Sequence, residues 1–115
     1  MSYDLRIGVK VEGWGKIAEI GEPELANPTY NLGKMFCAAM DWDYIQGEYY
    51  KCSEVIDKIE RGIRELRTRP SAYRQYNPPN GWGTLEGAIR VLESLRDCIY
   101  EHAEDIPIDC LYVAW

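Results

Sequence analysis

The stretch Tyr3-Asp4-Leu5-Arg6-Ile7-Gly8-Val9-Lys10-Val11 decides the fold. Tyr3, Leu5, Ile7, Val9 and Val11 fall on one side of an extended chain, with Asp4, Arg6, Gly8 and Lys10 on the other. A period of two is the pattern of a strand with one buried face. Glu12-Gly13-Trp14-Gly15 breaks the alternation with turn residues, and Lys16 to Ile20 reads as a returning hairpin partner. At the far end of the chain, Ile106-Pro107-Ile108-Asp109-Cys110-Leu111-Tyr112-Val113-Ala114-Trp115 is apolar on both sides. Such a strand is expected beside another strand and under helices.

Everything between these ends is helical or looped. Residues 21–31 form a loop punctuated by Gly21, Pro23, Asn27 and Pro28. Thr29 or Asn31 can cap a first helix carrying Leu32, Met35, Phe36 and Ala39. After the connector Asp41-Trp42-Asp43-Tyr44, a second helix is marked by Cys52, Val55, Ile56, Ile59, Ile63 and Leu66 at i, i+3, i+4, i+7 spacing. Gly62 weakens it locally and Pro70 stops it. Residues 71–83 read as a loop. A third helix starts with Thr84 as N-cap and buries Leu85, Ala88, Ile89, Leu92, Leu95 and Ile99, with His102 as an exposed partner of the helix dipole in its last turn. Residues 1–115 are therefore expected to be a single α+β domain. Its small antiparallel or mixed sheet comes from the N- and C-terminal strands and packs with three helices.

Composition narrows the classes of function. The net charge is −6, which opposes direct nucleic-acid binding and attachment to an anionic membrane surface. An acidic chain remains suited to a basic groove on a protein, or to a small ligand held in a local basic pocket. No apolar run is long enough to span a bilayer and Met1-Ser2-Tyr3-Asp4 has no signal-peptide character, so a cytoplasmic location is expected. Nine tyrosines and four tryptophans against one phenylalanine favour half-wet positions and binding surfaces, Tyr49 and Tyr50 among them. Cys37, Cys52, Cys98 and Cys110 contain no Cys-x-x-Cys pair, and with a single histidine no metal site and no cofactor are expected. Buried free thiols are the expected state of the first three. Asp41 and Asp43 read as solvated connector charge. No nucleophile has a neighbouring base at a recognisable spacing, so no catalytic residue is assigned.

The segment richest in recognition chemistry is Asn77-Pro78-Pro79-Asn80-Gly81-Trp82-Gly83, which reverses the chain and opens into the third helix. With Tyr73, Arg74 and Tyr76 before it, this segment combines π-faces, a guanidinium and amides able to stack a base or an aromatic side chain. The helix start adds backbone N–H groups that attract an anion. Tyr30 and Asn31 form a similar entrance to the first helix. The candidate contact residues are thus Tyr30, Asn31, Tyr73, Arg74, Asn77, Asn80 and Trp82.

The N-terminal strand, the Thr29-Tyr30-Asn31 entrance with Met35 after it, and the 77–83 turn together resemble a family of small uncharacterised proteins encoded by phages and prophages. In such proteins an Asn-Gly-Trp-Gly turn leads into a helix with a glycine, matched by Gly87, and then a cysteine, matched by Cys98. The resemblance covers most of the chain and departs at residues 12–26, which look longer and more acidic. It implies a phage accessory context without a catalytic residue. The corresponding expectation is a non-enzymatic protein that inhibits a host defence system by stoichiometric binding to a host protein. Binding or sequestration of a small nucleotide signal is the alternative, and a small hydrolase the weaker one. A homo-oligomer is compatible with either.

Overall fold

A computed structural model describes residues 5–11, 13, 16–21, 23, 32–43, 49–77 and 83–114. The chain is α+β. Strand β1 (Arg6–Val11) and strand β2 (Lys16–Gly21) form the hairpin expected from the alternation. They are followed by α1 (Gly33–Met40), β3 (Tyr49–Lys51), α2 (Cys52–Thr68), the one-turn α3 (Pro70–Tyr73) and α4 (Leu85–Ala103). Strand β4 (Leu111–Ala114) ends the described chain. The order across the sheet is β2-β1-β4-β3, and every neighbouring pair is antiparallel.

The alternation in β1 sets the layers. Leu5 and Ile7 are fully buried, Val9 packs at the margin of the core, and Val11 emerges at 37% exposure. Opposite them on β4, Leu111 and Val113 are fully buried. These side chains meet the apolar stripes of α1, α2 and α4, so the helices cover one face of the sheet. Each buried Leu or Ile contributes roughly 1.5–3 kcal/mol through removal from water. The expected α2 stripe is buried throughout, while the α4 stripe gains Val91 and Cys98 and Ile89 is only half-buried.

Three features depart from the expectation. The sheet has a fourth strand, β3, which pairs with β4 through Tyr49↔Ala114, Tyr50↔Val113 and Lys51↔Tyr112 and runs straight into α2. Pro70 ends α2 but also begins α3, because a proline at the first helical position loses no intrahelical hydrogen bond. The final strand is shorter than expected: Ile108–Cys110 is a 3₁₀ turn, and helices lie over only one face of β4 among the described residues.

Two glycines reflect close approaches. A Cβ on Gly62 would lie 2.8 Å from Met40 Cγ and 2.9 Å from Leu92 Cδ1, so this gap lets α2 sit between α1 and α4. At Gly8 a Cβ would lie 2.4 Å from the carbonyl oxygen of Ala18. The β1–β2 register slips between Ile7 and Gly8, leaving Ile20 as the extra residue on β2. No helix among the described residues is long and apolar enough to cross a membrane.

Candidate functional site

Of the seven expected contact residues, the structure describes Tyr73, Arg74 and Asn77. Tyr30, Asn31, Asn80 and Trp82 lie outside the described residues. Tyr73 is only 8% exposed and belongs to the core. Its hydroxyl donates to Glu65 Oε1 at 3.3 Å, and the same carboxylate lies 3.6 Å from Arg61 Nη1 and 3.5 Å from Arg69 Nη1. Burial, then the neighbouring Glu65, pushes the Tyr73 phenol above its ordinary pKa. Arg74 is exposed and pairs with Glu86 at 2.6 Å. Asn77 Oδ1 accepts the backbone N–H of Leu85 at 3.1 Å, across eight residues of chain.

These contacts close the N-terminus of α4 from within. Thr84 is the N-cap in extended conformation, and its Oγ1 accepts the N–H of Gly87 at 3.0 Å. Asn77 takes the N–H of Leu85. The Glu86 carboxylate takes its own backbone N–H, which with the Arg74 hydrogen bond holds its pKa below the usual carboxylate value. The first three amides of the helix thus have intramolecular acceptors, and a carboxylate already sits at the positive end of the dipole. A phosphate arriving there must displace these groups. Asn77 and Thr84 thus act together as a cap on the start of α4.

A different surface carries exposed chemistry. Tyr100, on the outer side of α4, is 44% exposed. Its hydroxyl donates to Glu60 Oε1 of α2 at 2.6 Å. That hydrogen bond, followed by burial and the charges of Glu60 and Asp57, raises the phenol's pKa. Asp97, Glu101 and Glu104 are exposed at i−3, i+1 and i+4 from Tyr100, and Asp57 is exposed on α2. Asp97 and Glu104, three and four residues from Tyr100, share its side of the helix, whereas Glu101 is turned toward Cys98. The result is a tyrosine hydrogen-bonded to Glu60 and near Asp57 across the α2–α4 junction, with the Arg96 charge also acting on it and Arg96 3.0 Å from Asp97. Sequence reading missed it because Glu60 and Tyr100 are 40 positions apart. Its only local signal was the acidic spacing around Tyr100.

The remaining candidates have structural roles. Asp41 adopts the left-handed conformation (φ 51°) and ends α1, its N–H reaching Cys37 O and its carbonyl accepting from Lys58 Nζ. Asp43 is exposed. His102 is half-buried rather than exposed: its ring lies against Gly21 of β2, where a Cβ would come within 2.0 Å of Nε2. It fills a gap between α4 and the edge strand. All four cysteines are free, with Cys52 and Cys98 buried, Cys37 half-buried and Cys110 exposed. Tyr49 is exposed at 45%, while Tyr50 turns inward and packs edge-on against Trp42 at 4.7 Å between centroids. Among known proteins, no family model, no curated sequence and no solved structure matches this chain.

Proposed function

We propose that the protein is a non-enzymatic, cytoplasmic binding protein that blocks a host protein by stoichiometric contact. The observation that carries this reading is the Tyr100 surface. An aromatic anchor held at 2.6 Å by Glu60 is pre-positioned, so little side-chain entropy is lost when a partner covers it. The nearby Asp57, Asp97 and Glu104, in a chain of net charge −6, suit the basic groove of a partner and speed encounter with it. The phage accessory context, with a host defence protein as target, rests on the resemblance carried by the 77–83 turn. The described members of the expected contact set are engaged within the fold, which favours the helix surface over the turn.

The test is quantitative capture from host extract using the wild-type chain beside a Tyr100→Ala/Glu60→Lys variant. A stoichiometric complex is expected with the wild type. Loss of a central tyrosine anchor weakens binding by about 2 kcal/mol, or about 30-fold. A complex equally strong with the variant refutes the assignment of this surface.

A further inference from the structure

We infer that two copies of the chain associate through the outer face of α2 and α4, related by a two-fold axis that runs across the helices. The contacts Tyr100–Glu60 and Arg67–Glu93 show that α2 and α4 run antiparallel. Helical spacing then orders the charges along the face they share. Asp57 and Glu60 of α2 lie with Tyr100 and Glu104 of α4 at one end, with Asp97 a turn inward from Tyr100. Arg64 and Arg67 of α2 lie with Arg90, Glu93 and Arg96 of α4 toward the other end. Residues 61–96 hold seven arginines against three glutamates, in a chain whose net charge is −6. The face is open: Asp57, Arg64, Arg90 and Glu104 are exposed, and the side chains of Arg67 and Asp97 are 54% and 69% exposed. Arg64 and Arg90 make no ion pair among the described residues.

A face acidic at one end and basic at the other is complementary to itself. The two-fold axis inverts it end for end, so the Glu60 end of each copy lies over the Arg67 end of the other. Tyr100 then meets a guanidinium, which its ring attracts. A uniformly acidic partner would be repelled at the Glu60 end, whereas a second copy satisfies both ends. The 17 residues of α2 make the face about 25 Å long, and two helix diameters make it about 20 Å wide. Covering it buries about 500 Å² on each copy, about 1,000 Å² in all, which is the lower bound of a specific interface. The dimer is therefore weak and sensitive to salt. A second copy and a basic host partner exclude each other at Tyr100, yet the self-contact needs no host protein.

The experiment is analytical ultracentrifugation of the purified chain from micromolar to millimolar concentration, at low and at high salt. A monomer–dimer equilibrium that weakens with salt is expected. Arg64→Glu/Arg67→Glu turns the basic end acidic, and Asp57→Lys/Asp97→Lys/Glu104→Lys turns the acidic end basic. Each variant alone should associate about tenfold more weakly, because like charges then face each other. An equimolar mixture of the two should restore the dimer, since each acidic face then meets a basic one. Circular dichroism and cooperative urea unfolding report whether each variant is folded. A wild type that stays monomeric throughout, a dimer indifferent to salt, a dimer unchanged in both folded variants, or a mixture of folded variants that does not associate overturns the inference. Failure to capture a partner from host extract bears on the host reading alone and leaves this equilibrium as it is.

Discussion

Replacing Gly8 with alanine pits local propensity against the packing of the sheet. In a strand interior, glycine is less favourable than alanine by roughly 0.5–1 kcal/mol, so propensity alone predicts stabilisation. Gly8 does not adopt positive φ, so alanine meets no backbone penalty of its own there. The obstacle is β2: the new Cβ would lie 2.4 Å from Ala18 O and 2.9 Å from Ala18 C, both backbone atoms that cannot rotate away. Relief requires β2 to move outward at its bulge, at the cost of the Gly8↔Glu19 and Val9↔Ala18 pairs. Overpacking of this kind costs about 1–3 kcal/mol, so the net expectation is destabilisation of about 1–2 kcal/mol. Urea unfolding followed by tryptophan fluorescence reads it directly. With a slope of roughly 2 kcal/mol per molar, the midpoint should fall by about 0.5–1 M at unchanged slope. A midpoint that rises would refute the close approach of β2 to β1.

Three further outcomes are expected. Thr84→Ala and Asn77→Ala should each destabilise by about 1 kcal/mol in the same urea assay, since each removes the acceptor of one helix amide; a neutral Asn77→Ala would show that its contact with Leu85 is dispensable. The folded-state pKa of Glu86 is lowered from 4.5, so its contribution is present above that pH and lost as pH falls through the folded pKa. The melting temperatures of wild type and Glu86→Gln should therefore differ at neutral pH and converge in acid, and a gap that persists in acid contradicts the arrangement. Burial pushes the Cys52 thiol up to about 12 and raises that of Cys98, whereas Cys110 is exposed. A thiol reagent at mildly alkaline pH should label Cys110 promptly and Cys52 only after unfolding; four equal rates would show that the α2–α4 interface is open.

The parts of this fold legible in the sequence are those where one element settles its own pattern. Leu5 and Ile7 alternate because β1 has one buried face, and the stripe from Cys52 to Leu66 repeats because one side of α2 meets the sheet and its neighbouring helices. Strand β3 was not legible, since three residues carry no period and Tyr49–Lys51 is a strand only because β4 lies beside it. The same holds for function. Thr84 announces its cap locally, whereas Asn77 acts as one only because the chain returns it to Leu85. Tyr73 looked like a recognition residue, yet it packs into the core with its hydroxyl on Glu65. The pairing of Tyr100 with Glu60 and that of Arg67 with Glu93 depend on helix packing, which no local window contains.

The central claim is that the chain works by binding through the Tyr100 surface. Native mass spectrometry of the complex recovered from host extract, for wild type and the Tyr100→Ala/Glu60→Lys variant in parallel, tests it most directly. The wild type should show one defined stoichiometry, and the variant should be largely dissociated while still melting cooperatively. An equally abundant complex with the folded variant, or a recovered partner chemically altered in a catalytic manner, would contradict it.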